Sequence, residues 1–242
     1  MHTLKAELRK LFTVRSTYII MVIGLALAAL VDFWILGFKD VEKAGVNSGV
    51  LSNALLNTTS TMGVFIAIIT ALMIGHEYRY NTITYSLTSV NRRIKLFGAK
   101  YVVLAVFALV YTAVVALLSW VFFAVGQSLA GVNTVAQQVQ VWEVVWRSAV
   151  MSLGMMTYAF VISFILRNLI GAIVLILMMP TTIEGLLSLL LKEDTKYLPF
   201  TALNSLTNIS TTQLTSVLLT ISAYVVGGLV IAYWLFQKRD AN

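Results

Sequence analysis

With 59% hydrophobic residues, 11% charged residues and a mean hydropathy of +0.88, this chain of 242 residues has too little polar surface for a soluble globule and belongs in a bilayer. Its formal charge of +7 comes from Lys and Arg spread between apolar runs rather than gathered on one face, so no nucleic-acid partner is expected. Cysteine is absent, which excludes disulfides, thiolate metal sites and iron–sulfur clusters, and with only His2 and His76 as imidazoles no metal centre is expected.

In chain order, residues 1–16 come first. Leu4, Leu8, Leu11 and Phe12 recur at helical spacing while Lys5, Glu7, Arg9 and Lys10 occupy other faces, which predicts an amphipathic helix lying on the membrane surface and held by its apolar stripe and by anionic lipid. Six hydrophobic segments follow, at Tyr18 to Phe38, Thr58 to Ile74, Tyr101 to Val125, Trp146 to Leu166, Leu169 to Ile183 and Leu214 to Phe236. About 20 helical residues cross a hydrocarbon core of roughly 30 Å, so each is a candidate span, with the second and fifth short. Ala26-Leu27-Ala28 offers a superficial signal-peptidase site, but hydrophobicity continues to Phe38 and the first span is expected to stay uncleaved.

Between the second and third spans lies a polar stretch over residues 75–100. It holds Gly75-His76-Glu77-Tyr78-Arg79-Tyr80-Asn81-Thr82, then Ser89-Val90-Asn91-Arg92-Arg93-Ile94-Lys95, and closes at Lys100. Ile83, Leu87, Val90, Ile94 and Phe97 trace a helical stripe within it, although Ile83, Tyr85 and Leu87 also alternate as a strand would. The fifth segment is interrupted by Pro180 and followed by Glu184-Gly185, a pattern that predicts a span ending early and turning back into the membrane over residues 184–213. The fold class expected is therefore an all-α integral membrane protein, one transmembrane domain over residues 1–242.

Orientation follows from the Lys and Arg residues. With the N-terminus inside, Lys5, Arg9, Lys10, Arg15, Arg79, Arg92, Arg93, Lys95, Lys100, Arg167, Lys238 and Arg239 fall on the inner side, 12 residues against 5 outside. This places both termini in the cytoplasm. Trp34, Trp120, Trp142 and Trp146 then fall near the outer interface and Trp234 near the inner one, as aromatic belts require.

Candidates for chemistry are few. The chain has no Gly-rich phosphate loop with a following Lys-Ser or Lys-Thr, no His-Glu-x-x-His helix and no Gly-x-Ser-x-Gly elbow. The acids nearest membrane depth are Asp32 and Glu184, at outer span ends where a carboxylate either reaches interfacial water or lines a cavity; at the bilayer centre each would cost about 2.5–3.5 kcal/mol. Gly63, Ala67, Ala71 and Gly75, with Gly24 and Ala28 and with Ala223 and Gly227, set small residues four apart for close helix packing within or between chains.

The basic residues of the 75–100 stretch are what any inward loop carries. Glu77 is the informative exception. The order Glu77-Tyr78-Arg79-x-x-Thr82, a turn at Ser89 to Arg93 and then Lys100 opening the third span resembles the first cytoplasmic loop of type-2 ABC transporter permeases. Lys5-Ala6-Glu7-Leu8-Arg9-Lys10-Leu11 is similar to that family's connecting helix, Arg167-Asn168 to its turn between spans four and five, and Pro180 through Tyr197-Leu198-Pro199-Phe200 to its fifth span and outer re-entrant segment. Asn81 stands where the family usually has Gly; Asn also tolerates positive φ, so the turn there is expected to survive.

The resemblance implies a permease subunit of an ATP-driven exporter in the cytoplasmic membrane of a bacterium, six spans per chain, paired with a second permease chain. A separate ATP-binding subunit would carry ATP and Mg, and this chain would bind no cofactor and be no enzyme itself. Glu77, Arg79, Thr82, Arg92 and Arg93 would belong to a coupling helix seated on the ATPase, Lys5, Glu7, Arg9 and Lys10 to the connecting helix beside it, and Asp32, Pro180 and Glu184 to the outer part of the translocation path. The competing readings are an ATP-independent membrane scaffold or immunity-type binding protein, and an integral-membrane lipid enzyme, which lacks a visible catalytic cluster.

Overall fold

The computed structural model describes residues 2–34, 48–88, 93–129, 139–208 and 213–238. These residues form helices α1 (His2–Leu11), α2 (Arg15–Leu30), α3 (Ser48–Arg79), α4 (Ile83–Thr88), α5 (Arg93–Leu129), α6 (Val141–Leu166), α7 (Leu169–Met178), α8 (Glu184–Leu191), α9 (Pro199–Ser205) and α10 (Leu214–Lys238), with no strand among them. Among the described residues, six helical stretches are long and apolar enough to cross a membrane: Arg15–Trp34, Ser52–Arg79, Arg93–Leu129, Val141–Leu166, Leu169–Leu191 and Leu214–Lys238. The chain is an all-α, multi-pass membrane protein.

Helix α6 is the hub of the bundle. Its most extensive neighbour is α3, and it also packs on α5, α7 and α10, while α2 lies against α5 and α3. At one end of the bundle an aromatic cluster fills the core, with Phe160 and Phe164 at 4.7 Å between ring centroids, Phe97 on Phe160 at 5.0 Å and Phe236 on Phe164 at 5.3 Å. Edge-on and tilted pairs of this kind fill space with rigid side chains and little lost entropy. The outward faces of α2, α7 and α10 are apolar, as a lipid solvent requires.

The stripe Gly63, Ala67, Ala71 and Gly75 is used inside the chain. Gly63 meets Met155, Ala67 and Ala71 pack with Ala159, Ala172 and Ile176, and a Cβ at Gly75 would come within 2.9 Å of the Leu169 backbone. Ala28 is buried too, and Gly24 lies against Tyr111 and Phe65, whereas Ala223 and Gly227 face out of the chain.

Three boundaries differ from the expectation. Helix α3 has 32 residues, because Ser48 to Asn57, polar enough to look like loop, bury Leu55 and Leu56 and continue the helix beyond the apolar run. The helices run into both ends of the 75–100 stretch: residues 75–79 end α3 and residues 93–100 begin α5, with a turn at 80–82 and then α4 between them, and 89–92 outside the described residues. The fifth span does not end at Ile183. A π-helical turn over Met179–Ile183 absorbs the missing N–H of Pro180, the Glu184 N–H donating back to the Met179 carbonyl, and helix resumes to Leu191. The chain then passes through a 3₁₀ segment, Lys192–Tyr197, and returns as α9.

Candidate functional site

Helix α1 docks through one charged face. Glu7 and Leu11, one turn apart, are buried against the bundle, whereas Leu4, Leu8 and Phe12 of the expected stripe point outward together with Lys5 and Arg9. Leu4, Leu8 and Phe12 therefore face the surroundings, where interfacial lipid would lie, while Leu11 and the charge of Glu7 hold α1 to the bundle.

Glu7 meets Lys10 on its own helix, Glu77 near the end of α3 supplies the second carboxylate, and Lys100, two turns into α5, supplies the second ammonium. Lys100 Nζ donates to Glu7 Oε2 at 2.8 Å and to Glu77 Oε1 at 2.5 Å. Lys10 Nζ donates to Glu7 Oε1 and to Glu77 Oε1, both at 2.9 Å. Two carboxylates and two ammoniums close a neutral ring across three helices. Lys100 and Glu7 are each only 1% exposed, so neither charge is screened by water, and removing one partner would strand the other at a cost of about 3–5 kcal/mol. Burial pushes the Lys10 ammonium down, but its hydrogen bond to Glu7 and the charge of Glu77 more than offset this and hold it above the ordinary lysine range. Glu77 Oε2 is buried without a hydrogen-bond partner among the described residues, so this acid has capacity left over.

The segment after Glu77 turns sharply outward. Asn81 adopts φ 51°, the positive value expected of Asn where a Gly would serve, and the Thr82 N–H donates to the Glu77 carbonyl at 3.0 Å. Ile83 then buries against the bundle and starts α4. Arg79 and Thr82 are exposed on the outer side of this turn, with the Arg79 guanidinium 5.6 Å from the Tyr80 ring. Glu77 and Arg79, two residues apart, thus face opposite ways.

Two further contacts tie this end together. Arg93 Nη1 donates to the Phe236 and Gln237 carbonyls at 3.3 and 2.8 Å, placing a cation on the carbonyl end of α10. Arg93 is therefore committed to the bundle, and Arg92 lies outside the described residues. The turn between α6 and α7 is made by Arg167 at φ 52° and by Asn168, whose side chain accepts from the Gly171 N–H; Arg167 sits 5.3 Å from the Tyr78 ring. Gly75 and Tyr78 on α3 thereby rest on the turn that leads into the fifth span.

The outer-path candidates fall into two separate sites. Asp32 lies in a π-helical turn that continues α2 over residues 31–34, and its Oδ1 accepts the Thr58 hydroxyl at 2.7 Å. Glu184 accepts from the Phe200 N–H at 2.8 Å, the Thr201 N–H at 2.7 Å and the Thr201 hydroxyl at 2.8 Å. Its carboxylate is taken up as the cap of α9, and Pro180 acts upstream by forming the π-helical turn that precedes it. The opposite end of α9 is held by Arg147, fully buried, which pairs with Glu143 at 2.9 Å and donates to the Leu206 and Asn208 carbonyls.

Sequence reading had Glu7, Lys10 and Glu77 as candidates but missed Lys100 as their common partner and Arg147 as a clamp. Lys100 stands at the border of the apolar run that begins at Tyr101, where any inward-facing basic residue could sit, so only the structure shows it to be buried against two acids. No group of three or more His, Cys, Asp or Glu side chains that could hold a metal occurs among the described residues. No match to the chain is found among curated proteins. The family model described as "Protein of unknown function (DUF2705)" matches residues 17–241, and the chain belongs to that family.

Proposed function

We propose that the chain is the permease subunit of an ATP-driven ABC transporter, an exporter working as a dimer with a second permease chain and driven by a separate ATP-binding subunit. The observation that carries this reading is the ring of Glu7, Lys10, Glu77 and Lys100, of which all but Lys10 are buried. It joins the N-terminal helix, the exit of the second span and the entry of the third into one unit. A load applied at α4 is then delivered to α3 and α5 together, with α1 moving as part of the same lever. Arg79 and Thr82, exposed beside that lever, are the residues offered to the ATP-binding subunit, which holds ATP and Mg. In this reading both termini and α4 lie in the cytoplasm, in agreement with the Lys and Arg bias.

A photo-reactive residue in place of Arg79, activated in living cells, tests the partner directly. It is expected to trap a protein bearing an ATP-binding cassette, and Thr82→Trp is expected to reduce the yield by at least half. Trapping of lipid or of other proteins only, with no cassette ATPase, would remove the basis for a coupled permease.

A further inference from the structure

Two exposed faces meet at the corner where α1 passes into α2. At about 100° per residue, Leu4, Leu8 and Phe12 centre about 80° round α1 from the buried pair Glu7 and Leu11, and Lys5 and Arg9 lie farther round, at about 160°. On α2, Arg15, Tyr18, Ile19 and Val22 share one exposed face, opposite the buried Thr17, Gly24 and Ala28. The Tyr18 hydroxyl donates to the Phe12 carbonyl at 2.6 Å and the two rings lie 6.3 Å apart, so the apolar strip of α1 runs into the outward strip of the first span.

Exposed charge at this corner is of one sign. Lys5, Arg9 and Arg15 are exposed and enter none of the ion pairs among the described residues, while the acids within residues 2–34, Glu7 and Asp32, are both buried. Arg15 opens the first span, and Lys100, which holds Glu7, borders the apolar run of the third, so the three cations stand where hydrocarbon gives way to head groups, with the Tyr18 ring beside them as an interfacial aromatic. A soluble partner on this face would leave the strip that continues into the span, Ile19 and Val22 at 58% and 63% exposed, to be covered by something else. One lipid covers both parts, its phosphate beside the cations and its acyl chain along α2. A zwitterionic lipid brings a cation of its own, which three unpaired basic groups repel, whereas an anionic lipid brings net negative charge.

We propose that the corner between α1 and α2 is a binding site for an anionic phospholipid, with Lys5, Arg9 and Arg15 at its head group and the face from Phe12 to Val22 along its acyl chain. Lys5 and Arg9 are thereby assigned to lipid and not to a soluble partner. Glu7 closes its ion pairs on the other side of the same helix, so α1 is held by the bundle on one side and by the head group on the other. The site does not depend on the transport reading.

The chain has no cysteine, so Val22→Cys gives the full-length protein a single thiol for a bimane label on this face. The labelled protein is placed in phosphatidylcholine bilayers in which a minor share of the lipid carries brominated acyl chains, either as phosphatidylglycerol or as phosphatidylcholine. The brominated phosphatidylglycerol is expected to quench the label about twofold more than the same share of brominated phosphatidylcholine. Combining Lys5→Gln, Arg9→Gln and Arg15→Gln should bring the two to equality while leaving the melting temperature within a few degrees of the parent, since none of the three is paired. Equal quenching by the two lipids in the parent overturns the proposal. So does a preference that survives in the triple variant, which would place the anionic lipid on other basic residues. A label that neither lipid quenches, as a second copy or another protein covering this face would give, overturns it too. Should the triple variant not fold, Arg9→Gln alone decides: an undiminished preference for phosphatidylglycerol counts against the site.

Discussion

The Nζ of Lys100 stands 2.8 Å from Oε2 of Glu7, across 93 residues of chain, with both side chains almost wholly out of solvent. An ion pair this deep is weak evidence of stability relative to an apolar contact, yet it is strongly specific, because either partner alone is a stranded charge. It therefore fixes where α1 can dock.

Lys100→Met leaves Glu7 and Glu77 to share Lys10 alone. A loss of about 3–5 kcal/mol is expected, read as a lower melting temperature of the purified protein in nanodiscs. Adding Glu7→Gln to Lys100→Met should recover part of that loss, since it removes the charge that the first change stranded. Two losses that simply add would mean that the pair is not coupled.

Lys10 gives the pH dependence of the same docking. Its folded-state ammonium is held above the ordinary lysine range by Glu7 and Glu77 against the effect of burial, so its contribution is fully present below the unfolded lysine value of about 10.4. It is lost only as pH rises through the higher folded value. The absence of cysteine allows a single thioether-linked spin label at Leu8→Cys to report on α1. Its mobility is expected to stay constant from pH 6 to about pH 10 and to rise above that, and Lys10→Gln should abolish the alkaline step. A rise near neutral pH would place the release of α1 on another group.

What the sequence disclosed was set by the range over which each signal acts. Spans announce themselves because apolar composition is local, and Asn81 announced its turn because its tolerance of positive φ is a property of one residue. Ser48 to Asn57 misled because their helix is stabilised by burial of Leu55 and Leu56 against other elements, which composition does not display. Pro180 misled for a similar reason: a π-helical turn rescued the helix, so the break fell at the Lys192–Tyr197 segment. The charged ring was half legible. Glu77 stood out as an acid in a basic stretch, but its partners lie far along the chain, and nothing local in Lys5 to Leu11 says that Glu7 rather than Leu4 or Leu8 turns inward.

Glu184 is where structure changes the expected experiment most. As part of a path its substitution would alter transport and spare folding, but its two oxygens hold the Phe200 and Thr201 N–H groups and the Thr201 hydroxyl, with Glu184 itself buried. Glu184→Ala leaves those donors unsatisfied and is expected to cost about 1–3 kcal/mol, with faster hydrogen exchange confined to α9. Glu184→Gln keeps one acceptor oxygen but turns an NH₂ toward a donor, so it should retain only part of the stability. Arg147→Met releases the carbonyl end of the same helix and should speed exchange over the same residues. If Glu184→Gln left exchange and melting unchanged while altering transport, the cap would be dispensable and the acid would return to the path. If α9 alone loosens in all three variants, Glu184 and Arg147 are the two clamps that hold the returning segment against the bundle.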